Sequence, residues 1–416
     1  MHIWIDARSP SARDTIYSIP VVERLLRQLH TLGIRRDVTV ILPPDITLER
    51  IVRADFRPRF TLELTTAHTA APCADLLQQE QDAEHAWLLL EGHGIYDERI
   101  LRTLLQSASS LVITNRTEGT APLAVVIQAR DRHRLPGAAQ PLRTGITQGI
   151  KDGWLPTLAV EEMDSYIPSL RQTAVPMLRA LGPHDDKRAL ENVMYEHTFK
   201  GAMDVIATYI YRIPVRGLVR WLAPTRVTPN HVTAVSVLCS FLAIPLFVTG
   251  WFLAGLLVAF TFIICDSLDG KLARLTIRLS DTAGHVDHIT SPLFEACYYL
   301  GWGWYFTGGT FAGTPGTVSW LLFGFFGFDR IITSAFGQIY RRSLLDYKPW
   351  DARFHLIAAR RNTNLAMMLL GCLVQQPLGA MYVLTVWMGI TMLWHLARFA
   401  VHASGGRRPR GQAERE

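Results

Sequence analysis

The sequence predicts two parts: a soluble α/β domain built on an open sheet, followed by an all-α membrane domain of six transmembrane helices. Three observations carry this reading. Up to about residue 200, short apolar runs alternate with charged helical patterns; from about residue 230 the apolar runs lengthen; and basic residues gather in alternate connections between those runs. With 416 residues, 49% hydrophobic, 19% charged and a formal net charge of +6, the chain is too long for a small module and too apolar for a disordered one.

In the first part IWIDA, DVTVILP, AWLLLEG and SLVITN each hold about five apolar or β-branched residues between turn formers, which suits buried strands. Helical patterns lie between them. In VVERLLRQLHTLG, Val22, Leu25, Leu26 and Leu29 share one face, and Arg24, Arg27 and Gln28 are expected to face water. The N-terminal MHIWIDARSP has no basic segment followed by an apolar run, so no cleavable signal is expected. The five cysteines, Cys73, Cys239, Cys265, Cys297 and Cys372, show neither CxxC nor metal-ligand spacing, which argues against zinc and a disulfide framework.

In the second part, residues 201–223 mix aromatic and aliphatic residues with spaced arginines, the pattern of an interfacial helix on an anionic leaflet. Six apolar runs follow, beginning with HVTAVSVLCSFLAIPLFVTG and ending with MYVLTVWMGITMLWHLARF. About 20 apolar residues cross a bilayer, and the shorter runs reach that length with their flanks. Lys271, Arg274 and Arg278 lie in the second connection; Arg341, Arg342, Lys348, Arg353, Arg360 and Arg361 lie in the fourth; the odd-numbered connections hold no Lys or Arg. Positive charge in short loops marks the cytoplasmic side, so both termini and the second connection are expected there. The tail, 404–416, reads as a disordered basic end. No nucleic-acid partner is expected.

The chemistry is concentrated in CDSLDGKLARLTIRLSDTAGHVDHITSPLFEACYY. Asp266 and Asp269, three residues apart at the end of an apolar helix, share one face. Carboxylates at that depth are costly and point to function. Asp287 opens the next helix and can return to the same place. Three carboxylates without Cys or His suit Mg²⁺ or Mn²⁺. Gly270 leaves room for a ligand near the backbone, and Arg274 offers a fork for phosphate oxygens. Asp329 and Arg330 either neutralise each other or belong to an acceptor site. Arg360 and Arg361 either mark the cytoplasmic side or meet an acceptor phosphate.

Asp266, Asp269, Gly270, Ala273 and Arg274 reproduce the DxxDGxxAR start of the CDP-alcohol phosphotransferase signature, which continues as GxxxDxxxD. TPNHVT, Thr228 to Thr233, is similar to that family's entry segment. The resemblance covers about residues 197–403. It implies six membrane helices, usually in a homodimer, that transfer a phospho-alcohol group from a CDP-linked lipid or alcohol donor to a hydroxyl or phosphorylated-alcohol acceptor, releasing CMP. It further implies two divalent ions on Asp266, Asp269 and Asp287, with Gly270, Ala273 and Arg274 meeting the CDP moiety. Aligning Asp287 with the family's third aspartate puts Ala283 at its glycine and Ser291 at its last aspartate, the general base; aligning Gly284 instead breaks more of the pattern, with His288 and Pro292 at those positions. Serine is no base unaided. Either Glu295, one turn beyond Ser291, replaces it, or His288 does, or catalysis is lost and the chain serves as a membrane scaffold or regulatory partner.

Residues 1–196 resemble the nucleotidyltransferase-like domains fused ahead of some such transferases. Glu91, Gly92 and His93 stand where active relatives place a metal-binding aspartate, and the GxGxR opening is absent from MHIWIDARSP. A degenerate scaffold or regulatory domain is expected there, with synthesis of the CDP-activated donor as the alternative.

Overall fold

The computed structural model describes residues 1–53, 64–68, 85–117, 121–135, 141–278 and 281–404, without the side chains of 281–291. It divides into two compact units, 1–166 with 173–197, and 167–172 with 198–416.

The first unit is α/β. Its elements are β1 (His2–Asp6), α1 (Val21–Thr31), β2 (Val38–Leu42), β3 (Leu64–His68), β4 (Trp87–Glu91), α2 (Glu98–Gln106), β5 (Leu111–Thr114), β6 (Ala124–Ile127), α3 (Leu142–Lys151), β7 (Thr157–Ala159) and α4 (Lys187–Glu196). The sheet order is β7-β5-β6-β4-β1-β2-β3. β1 runs parallel to β2 and β4, with Asp6 opposite Glu91, and β6 runs antiparallel to β4 and β5. Successive strand residues face opposite ways. Ile3, Ile5, Val40, Leu88 and Leu90 therefore pack with Val22, Leu25, Leu26 and Leu29 of α1, while Trp4, Ile41, Leu89 and Val125 pack with Ile146 of α3 on the other face. The four strands read from the sequence are β1, β2, β4 and β5.

One expectation for α1 is overturned. Arg24 and Arg27 do not face water: both are buried, at 5% and 2% exposure. Arg27 Nε donates to Glu23 Oε1 at 2.9 Å, and Glu23 Oε2 accepts from the Arg53 backbone N–H at 2.8 Å. Burial covers α1 beyond its apolar stripe, and the arginine is tolerated because its acid lies one turn away.

The second unit is helical: α5 (Arg212–Leu222), α6 (Pro229–Val248), α7 (Phe252–Thr276), α8 (Asp281–Phe306), α9 (Gly313–Tyr340), α10 (Pro349–His355), α11 (Arg361–Leu373) and α12 (Pro377–Ser404). All six predicted apolar runs are helical. Four of them, α6, α7, α9 and α12, are long and apolar enough to cross a membrane. α8 has 26 residues, part of which lies outside the described side chains. α11 has 13 residues. That is roughly 20 Å of helix, shorter than a hydrocarbon core of about 30 Å, because its polar first turn is bound inside the unit. α5 buries Val215, Val219 and Leu222 and exposes Ile213 and Trp221, the composition of a surface-lying helix. Residues 405–416 of the predicted tail lie outside the described residues.

α6 starts where the sequence punctuates it. Pro229 occupies the first turn, Thr228 Oγ1 accepts from the His231 backbone N–H at 3.4 Å, and His231 Nδ1 accepts from the Thr228 N–H at 3.2 Å.

Removing one partner of the buried Glu23–Arg27 pair leaves the other charge uncompensated. Glu23→Ala is expected to destabilise the α/β unit by about 3 kcal/mol, read as a lower urea midpoint by tryptophan fluorescence. Replacing both residues by Leu should cost much less; an equal cost for both variants would contradict the pairing.

Candidate metal and phosphate site

α7 is apolar until its last turns, where Asp266, Asp269, Gly270, Lys271, Ala273 and Arg274 follow one another. Asp266 and Asp269 lie one turn apart, as their spacing requires. Each carboxylate meets a partner from another helix. Thr233 Oγ1 of α6 donates to Asp269 Oδ2 at 2.6 Å, and Asp269 Oδ1 accepts from the Gly270 backbone N–H at 2.5 Å. Asp266 pairs with Arg361, whose guanidinium also lies 4.8 Å from the centre of the Phe262 ring. Phe262 is on α7 itself, so the arginine is held by charge and by an aromatic face on the same helix.

Gly270 has a different neighbour from the one its sequence suggests. A β-carbon there would stand 3.3 Å from Arg274 Nη2 and 3.4 Å from Nη1. The missing side chain makes room for the arginine one turn on. Arg274 Nη2 donates to the Thr198 carbonyl at 3.4 Å, and its Nε is buried without a hydrogen-bond partner among the described residues. A guanidinium with an unused buried donor near the Asp269 carboxylate is suited to an anion that arrives with a cation. Lys271 Nζ donates to Ser267 Oγ at 3.1 Å and lies over the Phe199 ring at 4.5 Å.

The side chains of Asp287, His288 and Ser291 lie outside the described residues. Among the described residues no third His, Cys, Asp or Glu joins Asp266 and Asp269 in a cluster that would hold a metal. The donors present are carboxylate and hydroxyl oxygens, which fit Mg²⁺ or Mn²⁺ and not a soft metal.

Glu295 is described. It is 1% exposed. Tyr299 Oη donates to its Oε1 at 2.9 Å, Asn364 Nδ2 donates to Tyr299 Oη at 2.7 Å, and Arg330 Nη2 lies 3.3 Å from its Oε2. Asp329 and Arg330 do not neutralise each other as one reading of the sequence had it. Asp329 pairs with Arg360 at 3.3 Å and with His395, while Arg330 turns to Glu295. Adjacent helix residues point about 100° apart, so their charges find partners on different helices.

Residues 360–364, at the start of α11, supply several of these partners, a role beyond the two readings that the sequence offered for Arg360 and Arg361. Arg360 meets Asp329, Arg361 meets Asp266, Asn364 reaches Tyr299 and Glu295, and Asn362 Nδ2 donates to Asp204 Oδ2 at 2.7 Å. Four donors in five residues, RRNTN, were the only available signal. Nearby His355 is buried, and desolvation, with Arg360 and Arg171 adding to it, pushes its pKa well below the usual histidine range.

Thr233→Val keeps the volume and removes the hydroxyl that Asp269 binds. We expect the variant to unfold at lower temperature in detergent, by the equivalent of about 1–3 kcal/mol, and Thr233→Ser to stay near wild type. Equal melting of the Val variant and wild type would show that Asp269 does not depend on Thr233.

Comparison with known proteins adds to this geometry. Residues 226–397 match the model of the CDP-alcohol phosphatidyltransferase family. Inner membrane protein YnjF of Escherichia coli (strain K12) is 37% identical over 83 residues, 20% of this chain and 40% of that protein's length. A crystal structure described as a glucose-1-phosphate thymidylyltransferase from Bacillus anthracis aligns with 38% of this chain and 86% of its own, at 12% identity and a TM-score of 0.29. The stretch that holds Asp266, Asp269, Gly270, Ala273, Arg274 and Glu295 thus lies within the residues, 226–397, that match the CDP-alcohol phosphatidyltransferase model.

Proposed function

We propose that this membrane protein transfers a phospho-alcohol group from a CDP-linked lipid or alcohol to an acceptor hydroxyl, in phospholipid synthesis. The observation that carries it is the final stretch of α7, where Asp266 and Asp269 share one face and Arg274 stands over Gly270, inside the matched domain. The acceptor oxygen attacks the phosphorus that carries the alcohol, and its bond to the oxygen shared with CMP breaks. CMP leaves with that oxygen, and the acceptor proton passes to a base. Asp266, Asp269 and Asp287 would hold two divalent ions, Mg²⁺ or Mn²⁺, whose charge eases attack and departure at a diphosphate. Gly270, Ala273 and Arg274 would meet the CDP moiety.

Glu295, Ser291 and His288 are the candidates for the base. Glu295 has carboxylate oxygens already taken by Tyr299 and Arg330, so as a base it would have to exchange a partner for the acceptor hydroxyl. The acceptor side carries positive charge. Arg330 and Arg360 each hold an acid through one contact of 3.3 Å, and their field reaches His355. That favours an acceptor bearing phosphate. We propose six spans in a homodimer, with both termini and this site on the cytoplasmic side, and a scaffold or regulatory role for residues 1–196. Ser291 at the family's aspartate position favours one other reading, a relative that keeps the fold as a membrane scaffold and releases no CMP.

CMP release from a panel of CDP-linked donors with Mg²⁺ or Mn²⁺ tests the reaction. Asp269→Asn is expected to lower turnover at least a thousandfold and EDTA to abolish it, while the variant remains in the membrane. Full activity in either condition would refute the site. Arg330→Ala and Arg360→Ala should each raise KM for a phosphorylated acceptor roughly tenfold or more, with little change for the donor. An equal rise for both substrates would remove these arginines from acceptor recognition.

A further inference from the structure

Arg361 is assigned no part in that reaction, yet it occupies Asp266. The Arg361 side chain is 23% exposed and that of Asp266 16%, so the pair is mostly withdrawn from water and little screened. Three features distinguish it from an ordinary surface pair. Arg361 is the first residue of α11, so its backbone is fixed by the helix. Phe262, one turn before Asp266, holds the guanidinium by its ring face. The next residues of the same turn, Asn362 and Asn364, are bound to Asp204 and to Tyr299. Asp269 on the same face accepts hydrogen bonds from a hydroxyl and a backbone N–H, and among the described residues no ion pair joins it. A divalent cation satisfies both acids where one guanidinium pairs with one of them.

We propose that Arg361 is a positioning residue that competes with the divalent cation for Asp266, so that filling the carboxylate site frees the first turn of α11 from α7. This rests on the reading of Asp266 and Asp269 as metal ligands. Its consequence is a linkage between two places. The turn that gives up Asp266 also carries Arg360 and Asn364, which hold Asp329 and the Tyr299–Glu295 pair. Cation binding would therefore alter the acceptor side, and by reciprocity an anion drawing on Arg360 would alter cation affinity.

The test is Mn²⁺ affinity of the purified full-length protein in detergent, by electron paramagnetic resonance, for wild type, Asp266→Asn, Arg361→Gln and Arg361→Lys. Removing the competitor should tighten binding roughly tenfold in Arg361→Gln, and Arg361→Lys, which keeps the charge and loses the planar stacking on Phe262, should fall between it and wild type. Hydrogen exchange supplies a readout independent of the variants. Adding Mn²⁺ to wild type should raise exchange in the peptide covering Ala359 to Leu365. If wild type binds no Mn²⁺ that Asp266→Asn abolishes, the metal reading fails and this inference with it. If such binding is present but Arg361→Gln binds equally or more weakly, or exchange at Ala359 to Leu365 is unmoved, Arg361 is not the competitor.

Discussion

An acid inside a bundle of apolar helices must be met by a cation or a hydrogen-bond donor, and the helical unit is arranged around that requirement. Asp204, Asp266, Asp269, Glu295, Asp329 and Asp351 are each met by a side chain from a different element. An unpaired carboxylate would cost several kcal/mol in such surroundings. The cost is avoided by long-range pairing, which fixes how the helices pack more narrowly than interchangeable apolar contacts do. Arg398 on α12 illustrates the same rule away from the site: it holds Asp351 of α10 through two nitrogens, one at 3.0 Å.

The same requirement explains why α11 is short and starts with polar residues. Its start acts as a set of donors pushed among α7, α8 and α9, and an apolar start would remove a partner from each of Asp266, Glu295 and Asp329. In the proposed reaction, function and stability share residues: Asp266 and Asp269 would hold the cation, and Arg330 and Arg360, each held to its acid by one contact of 3.3 Å, would meet the anion.

Local features of this arrangement were legible in the sequence, and distant ones were not. Asp266 and Asp269 declare themselves through a three-residue spacing, and the strands through short apolar runs between turn formers. The pairings join residues far apart in the chain: Thr233 and Asp269 are 36 apart, Asp266 and Arg361 are 95 apart, and Asp204 and Asn362 are 158 apart. No periodicity encodes such partners. Proximity in sequence misled for Asp329 and Arg330, which are neighbours on the chain but face different helices. In α1 the apolar face was read from its period, but the width of the burial that takes in Arg24 and Arg27 depends on what packs around it. Asp287, His288 and Ser291 carry the second half of the motif and stay at the level of the sequence.

The central claim is that Asp266 and Asp269 form the cation site of a phosphate-transferring centre. Anomalous diffraction from crystals grown with Mn²⁺ and CDP tests it most directly. The account predicts a manganese peak shared by the Asp266 and Asp269 carboxylates, with Arg274 turned toward the diphosphate and Arg361 withdrawn from Asp266. Crystals that hold CDP elsewhere, with no peak between the two aspartates and Arg361 still on Asp266, would contradict it.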